Sequence, residues 1–173
     1  MIGRAPSPRA GAITSAAFEA VFEAEYPAVV RVAARVLLDL GAAEDVAQDV
    51  FLALHVRYPE GHASAAGWLR VAAAHLALNR LRDDRRRQQR EYATDEPRGG
   101  AESPEMAVIQ TETNREVLAA LGRLKRAHGT LLALRYSGFS YAEVAESLGI
   151  PVDQVGTRLR RAEAALRKEI SRE

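Results

Sequence analysis

The stretch SYAEVAESLGIPVDQVGTRLRRA, residues 140–162, predicts a short helix, a turn at Gly149 and a second helix that ends in arginines. Ala145 lies four residues before Gly149, and Val155 lies six residues after it. This is helix-turn-helix spacing, because a small residue lets the helices approach, glycine tolerates the turn and valine packs the second helix onto the first. Pro151 suits the first turn of the second helix, where its missing N–H costs nothing.

The exposed side of this second helix is chemically suited to a DNA major groove. Glutamine can hydrogen-bond adenine through two atoms, and arginine can bind guanine or phosphate. Gly156 weakens the helix, because glycine in a helix interior costs about 1 kcal/mol relative to alanine. A helical hairpin in another kind of bundle is the alternative interpretation. The residues predicted to contact DNA are Gln154, Thr157, Arg158 and Arg161.

Composition predicts an all-α protein. The chain has 173 residues, enough for one ordinary domain or two small ones, and 47% of them are hydrophobic. Alanine, leucine and valine dominate that apolar set, which favours helices over sheets. The absence of cysteine excludes disulfides and thiolate zinc sites. No stretch approaches the 18 or so apolar residues of a membrane span, and no signal peptide is visible, so a cytoplasmic protein without a membrane partner is expected.

Charge is segregated along the chain, although the formal net charge is only +1. Residues 18–60 carry eight acids and three arginines, whereas residues 70–91 carry seven arginines and three acids. Such alternation indicates different partners for different faces. The stretch TDEPRGGAESPE, residues 94–105, has no apolar periodicity and is predicted as a linker. The predicted organisation is a disordered tail (1–15), a first domain (16–92), a flexible acidic linker (93–112) and a second domain (113–173).

Three helices are predicted in the first domain. The first carries the apolar stripe Val29, Val32, Ala33, Val36, Leu37 and Leu40 and is expected to end at Gly41. In the second, Val46, Val50 and Leu54 recur every four residues and should face the core. A loop, residues 58–67, then precedes a long helix over residues 68–92 with a basic far end.

The second helix of this domain also has an acidic face with one leucine. Its members recur at i, i+3, i+4 and i+7 and therefore lie together on one side of the helix. A solvated helix face is one interpretation of this pattern, and a protein interface is the other. The residues of this face are Asp45, Gln48, Asp49 and Leu52.

The order of these features resembles the bacterial extracytoplasmic-function (ECF) sigma factors. The resemblance is carried by AAEDVAQDVFLAL, WLRVAAAHLALNRLRDDRRR, the acidic linker and LLALRYSGFSYAEVAESLGIPVDQVGTRLRRAEAALRK, and it covers nearly the whole chain after the first 15 residues. It implies a subunit of RNA polymerase whose first domain binds the core enzyme and opens the minus-ten element. The second domain would read the minus-thirty-five element of promoter DNA. An anti-sigma factor is a further candidate partner.

The resemblance also implies roles for individual residues. The acidic face of Asp45, Gln48, Asp49 and Leu52 would bind core polymerase. The loop over residues 58–67 would cap a pocket for an extruded base, with a floor that includes His75 and Asn79. The arginines expected to hold the adjacent phosphates are Arg80, Arg82, Arg85 and Arg86.

Other chemistries find little support in the sequence. His55 and His62 are seven residues apart, with no acid or thiol at metal-ligand spacing, so no metal site is predicted. No glycine-rich phosphate loop, nucleophile elbow or catalytic triad is visible, and we predict neither catalytic residues nor a cofactor. Two rival functions stay open: a one-component transcriptional regulator that acts without polymerase, and an adaptor that uses its acidic helix without selective DNA contact.

Overall fold

The structure is a computed structural model that describes residues 15–56, 64–93 and 112–172. All regular elements within these ranges are α-helices, which confirms the predicted all-α class. Most of the predicted tail (1–15), the predicted linker (93–112) and the predicted loop (58–67) lies outside the described residues. The helices are α1 (Ser15–Leu37), α2 (Leu40–Val56), α3 (Ala65–Ala93), α4 (Glu112–Arg123), α5 (Arg126–Tyr136), α6 (Tyr141–Leu148) and α7 (Val152–Ile170).

The boundary between α1 and α2 differs from the prediction. α1 ends at Leu37, and Leu38 takes a left-handed conformation with φ of 54°. The Asp39 carboxylate then accepts a hydrogen bond of 2.9 Å from the Ala42 N–H and caps α2. Gly41 therefore lies inside the first turn of α2 rather than at the end of α1. Leu40, predicted as core, is 44% exposed for the same reason.

The start of α3 also differs from the prediction. The Ser64 hydroxyl accepts a hydrogen bond of 3.1 Å from the Gly67 N–H, and this satisfies a free donor of the first turn. The helix therefore begins at Ala65, three residues before Trp68, and the predicted loop is shorter than expected. α3 continues for 29 residues, so its basic far end is helical, as predicted.

Helices α1, α2 and α3, here called the first module, pack on one another along their apolar stripes. Val46, Val50 and Leu54 of α2 are buried, as predicted from their spacing of four. Most of the predicted α1 stripe is buried as well, including Val29 and Val36. α3 contributes Leu69, Ala73, Ala74, Ala77 and Leu78 to the same core.

Helices α4–α7, here called the second module, contain the predicted helix-turn-helix in α6 and α7. Ser140 and Glu143 form a reciprocal capping box at the start of α6, and the hydrogen bonds from the Ser140 N–H and hydroxyl lower the pKa of Glu143. Gly149 ends α6 with φ of 63°, a conformation that favours glycine. Ala145 and Val155 are both buried, which confirms their predicted packing roles. Pro151 stands immediately before α7, one position earlier than expected.

The two modules share one continuous core. Leu78 of α3 is fully buried and lies against Gly129 of α5, where an added Cβ would stand 3.0 Å from Leu78 Cδ1. Phe139, in the turn between α5 and α6, is buried against Arg31 and Arg70 of the first module. The sequence pattern did not indicate this docking. It decides which of the functional residues are accessible.

Candidate nucleic-acid and protein interfaces

The acidic face of α2 points away from the core. Asp45, Gln48, Asp49 and Leu52 are all exposed, and Leu52 shows 62% of its surface to solvent. Val56, one turn beyond Leu52, is 72% exposed and extends the apolar end of this face. We did not predict Val56 as part of this face, although its position four residues after Leu52 places it on the same side of the helix. Two carboxylates beside two exposed aliphatic side chains can bind a basic protein surface that also carries apolar groups.

Arg80 of α3 lies at the edge of this acidic face rather than with the other predicted phosphate-binding arginines. Its Nη2 is 2.6 Å from Asp49 Oδ2, and its Nη1 is 4.0 Å from Asp45 Oδ2. The same guanidinium donates a 3.2 Å hydrogen bond to the Ala42 carbonyl. Because both carboxylates are more than half exposed, these pairs contribute about 0–1 kcal/mol and mainly orient the two acids.

His75 and Asn79 line one cavity. This cavity has a volume of about 430 Å³ and lies between α2 and α3, with the Trp68 side chain in its wall. Burial, together with the positive charges of Arg126 and Arg82, lowers the pKa of His75 and keeps the imidazole neutral near pH 7. A neutral imidazole has one donor and one acceptor nitrogen, so it can hydrogen-bond a nucleobase.

Two arginines at the basic end of α3 bind the protein itself. Arg82 donates 2.9 Å hydrogen bonds from Nε to the Gly122 carbonyl and from Nη2 to the Leu124 carbonyl. Arg85 donates to the Ala119 carbonyl. The Gly122 and Leu124 carbonyls lie at the carboxyl end of α4, where backbone carbonyls lack helical partners and the helix dipole is negative, and Ala119 lies one turn earlier. Arg86, in contrast, is largely in solvent, 3.6 Å from Asp83.

The predicted DNA-reading residues share one exposed side of α7. Gln154, Thr157, Arg158 and Arg161 line a cleft of about 1220 Å³, and all four are exposed. Arg158 Nη2 donates a 2.7 Å hydrogen bond to Gln154 Oε1 within this face.

Gly156 lies on the other side of α7 from this face, beside the Tyr141 ring. A Cβ at this position would make ordinary contact at 3.5 Å from Tyr141 Cε2. The backbone conformation of Gly156 is helical, so neither φ nor space requires glycine there.

The cleft contains further basic groups that we did not predict. Arg126 and His128, at the start of α5, line it together with the α7 face. Their sequence signal was the cluster Lys125, Arg126 and His128. Val71 and His75 of α3 line the same cleft, so the cleft lies between the two modules.

The structure offers no support for a metal or membrane site in the residues it describes. No three histidine or acidic side chains converge as metal ligands within them. His55 packs against the Phe18 ring at 5.0 Å between centroids, and His62 lies outside the described residues. Over the same part of the chain, each helix is too short or too polar to cross a membrane.

Comparison with known proteins identifies the family. Residues 21–87 match the sigma-70 region 2 family, and residues 114–166 match sigma-70 region 4. The RNA polymerase sigma factor YlaC of Bacillus subtilis is 33% identical over 138 residues, which are 77% of this chain and 80% of the relative. This chain is an ECF RNA polymerase sigma factor. The ECF sigma factor SigW of the same species is 28% identical over 152 residues, 79% of each chain.

A solved structure shares the fold of this sigma factor. It is the sigma factor RpoE of Bartonella quintana, crystallised in complex with the anti-sigma factor NepR. The TM-score is 0.50 and the identity 19%, over 89% of this chain and 96% of that one. Two sigma regions in order on one chain favour a promoter-specificity subunit of RNA polymerase over a one-component regulator.

Proposed function

We propose that this sigma factor divides promoter-specific initiation among three surfaces. The acidic face of α2 binds core polymerase, the His75 cavity and the basic end of α3 bind the minus-ten element, and α7 reads the minus-thirty-five element. The observation that carries the proposal is that the α2 face and the α7 face are both exposed and lie on different modules. Transcription from candidate promoters by core polymerase, with and without this chain, tests it. Dependence on the chain is expected.

We propose residues 16–92 and 113–173 as the two domains, with 1–15 as a tail and 93–112 as a flexible acidic linker. The protein acts in the cytoplasm, without enzymatic activity or a cofactor. Promoter opening must then draw its energy from captured single-stranded bases, since the sequence has no ATP-binding motif. Unstacking a base costs a few kcal/mol, which contacts in a pocket can offset.

The polymerase contact is tested by charge reversal on α2. Asp45→Lys with Asp49→Lys should abolish copurification with core polymerase, because like charges across an interface are strongly unfavourable. Both residues lie off the buried Val46 and Val50 stripe, so the helix should stay folded. The control is Glu23→Lys with Glu116→Lys, which changes the net charge equally at exposed sites elsewhere. Undiminished copurification of the first variant would make the face a solvated one.

The minus-thirty-five contact is tested on α7. Arg158→Ala with Arg161→Ala should lower promoter activity, because each lost base contact costs about 1–3 kcal/mol. A lost phosphate contact would instead reduce the salt slope by about one unit. The control is Arg167→Ala with Lys168→Ala, exposed basic residues of the same helix that do not line the cleft. Wild-type activity of the first variant would remove α7 from promoter reading.

The minus-ten pocket is tested by exchanging residues 58–67 for the loop of a related factor. The arginines of α3 should supply salt-sensitive affinity that does not depend on sequence, while the loop and His75 should select the base. Transcription from minus-ten variants measures that selection. An active exchange variant with unchanged base preference would make the loop a connector only.

An anti-sigma factor is the third proposed partner, beside core polymerase and promoter DNA. The support is family membership, and the fold relative was crystallised with its own anti-sigma factor. Copurification of the intact chain from its native cells tests the proposal. Recovery of polymerase subunits alone would count against such a partner.

A further inference from the structure

We propose that the two α7 arginines that line the cleft, Arg158 and Arg161, have different roles on the promoter, and that Gln154 sets this difference. Arg158, held by Gln154, reads a guanine of the minus-thirty-five element, whereas Arg161 binds a promoter phosphate. Gln154 is a positioning residue, because it acts on the DNA through Arg158. The inference rests on the proposed function, since it assumes that α7 enters promoter DNA.

The packing of α7 places Gln154 and Arg158 side by side. They are four residues apart, the spacing at which side chains on a helix surface are neighbours. Val155 and Leu159, the residues that follow each of them, are buried with 0% and 7% of their surface exposed. This burial fixes the rotation of α7 about its own axis, so Gln154 and Arg158 stay together on the exposed side.

One hydrogen bond joins the two side chains. Arg158 Nη2 donates to Gln154 Oε1 at 2.7 Å. A guanidinium has five N–H donors, so this bond leaves four for DNA. Two of them suffice for guanine, which presents its O6 and N7 acceptors side by side in the major groove. Arg158 can therefore keep its bond to Gln154 while it reads a guanine.

The amide of Gln154 suits this role better than a carboxylate would. It is neutral, so Arg158 keeps its full positive charge for the DNA, whereas a carboxylate would form a strong charged pair with the guanidinium. Within the described residues, Arg158 forms no ion pair with a carboxylate. Binding must order flexible side chains at a cost in free energy. Because Gln154 orders Arg158 before DNA arrives, this cost is lower for Arg158.

Arg161 is in a different situation on the same side of α7. Its guanidinium makes no hydrogen bond or ion pair with any other residue that the structure describes. It lies three residues beyond Arg158, about 4.5 Å further along the helix axis. Recognition helices contact base edges through their N-terminal residues, so the later arginine is farther from the bases. A side chain without a fixed direction suits a phosphate, which positions the protein but carries no sequence information.

The test uses holoenzyme, formed from core polymerase and the full-length chain, on a promoter that depends on this chain. Each base pair of the minus-thirty-five element is replaced in turn, and affinity is measured at several salt concentrations. The variants at Gln154 are Gln154→Met, which keeps the length of the side chain but loses the amide, and Gln154→Glu, which keeps a strong acceptor. The arginine variants are Arg158→Ala, Arg161→Ala and the double variant Gln154→Met with Arg158→Ala.

The matched control is Arg167→Ala, which removes an exposed arginine of the same helix that does not line the cleft. It should keep both the base preference and the salt dependence of the wild type. Circular dichroism checks that every variant is folded.

The expected result separates the two arginines. Arg158→Ala should lower the preference for guanine at one base pair by about 5- to 150-fold. Gln154→Met should lower it at the same base pair by about 2- to 10-fold, and should have no further effect in the double variant. Gln154→Glu should keep the preference, although its added negative charge weakens binding overall. Arg161→Ala should weaken binding to all promoter variants alike and reduce the salt slope by about one unit.

Three results would contradict these assignments. Unchanged base preference in Gln154→Met, or a loss at a different base pair, would overturn the positioning role of Gln154, and so would equal effects of Gln154→Met with and without Arg158. A base-specific effect of Arg161→Ala would overturn the division between the arginines. If no promoter depends on the chain, or if neither arginine variant changes base preference or salt slope, the proposed function of α7 fails instead.

Discussion

The basic end of α3 and the face of α7 that we propose reads DNA both carry arginines, but these arginines have opposite environments. Arg82 and Arg85 donate hydrogen bonds to backbone carbonyls in α4 and just after its end. Arg158 and Arg161 are exposed beside a cleft, and Arg158 bonds a glutamine on its own helix. A run of arginines therefore reveals an affinity for acceptors, but not which acceptor is bound.

The difference follows from what each helix packs against. Leu78 of α3 is buried at the interface between the two modules. The next turn of α3 therefore lies beside the end of α4. α7 buries Val155 and Leu159 on one side and leaves the other to the cleft. Four predictions test this contrast.

The largest effect is expected from Leu78→Ala, which removes the apolar side chain under the basic end of α3. Leu78 is fully buried, so the lost burial and the resulting cavity should lower the free energy of unfolding by about 2–5 kcal/mol. Urea denaturation measures this. Leu52→Ala is the control and should change stability by less than about 0.5 kcal/mol, because Leu52 is exposed. Equal decreases in the free energy of unfolding for Leu78→Ala and Leu52→Ala would contradict the burial of Leu78 between the two modules.

Arg82→Ala and Arg158→Ala should differ in stability. Hydrogen bonds to charged groups contribute about 1.5–3 kcal/mol, less where solvent reaches them, so Arg82→Ala should cost about 1–2 kcal/mol. Arg158→Ala should stay within about 0.5 kcal/mol of wild type, because its side chain is exposed. Urea midpoints of the two variants make the comparison. An Arg82→Ala variant with the urea midpoint of the wild type would mean that the hydrogen bonds from Arg82 to these carbonyls do not contribute measurably to stability.

Two glycines allow a comparison between the interface of the two modules and α7, with smaller expected effects. Gly156→Ala should stabilise the chain by up to about 1 kcal/mol, because alanine has the higher helix propensity. The new Cβ has room, since it makes ordinary contact with Tyr141 at 3.5 Å. Gly129→Ala gains the same helix propensity but places its Cβ 3.0 Å from Leu78, which must shift. Gly129→Ala should therefore be the less stable variant of the two. Thermal unfolding ranks them, and the reverse order would contradict the close packing.

The smallest effect is expected on the pH dependence of the free energy of unfolding, through His75, which lines the cleft. Burial and the charges of Arg126 and Arg82 lower the pKa of His75 below its usual 6.5. As pH falls below 6.5, the unfolded chain binds a proton before the folded chain does, so the free energy of unfolding should decrease. Above this pH the contribution is constant.

His75→Gln removes the titrating group and is the control for this effect. Urea denaturation at pH 7 and pH 5 should show a smaller decrease for His75→Gln than for the wild type. Other titratable groups contribute to both chains alike, so the difference isolates His75. An identical decrease would mean that the pKa of His75 is ordinary. The other charged or titratable groups at the cleft are Arg126, His128, Glu146, Asp153, Arg158 and Arg161.

Features that depend on local periodicity could be predicted from the sequence alone. The spacing of Ala145, Gly149 and Val155 predicted the helix-turn-helix, and each has the predicted burial or backbone conformation. The spacing of four in α2 separated a buried side from an exposed acidic side correctly. Periods of this kind can be read from sequence because neighbours on a helix face are three or four residues apart.

Tertiary structure decided what the helix ends and the basic groups contact. Asp39 caps α2 and Ser64 caps α3, so these helices begin at other residues than predicted. Capping depends on a single side-chain oxygen and not on a periodic pattern. Arg82 and Arg85 bind carbonyls 34 to 42 residues away in the chain. Hydrophobic periodicity shows that a face is apolar or charged, but it carries no information about which distant segment will cover that face. That choice follows from packing the whole chain around one core.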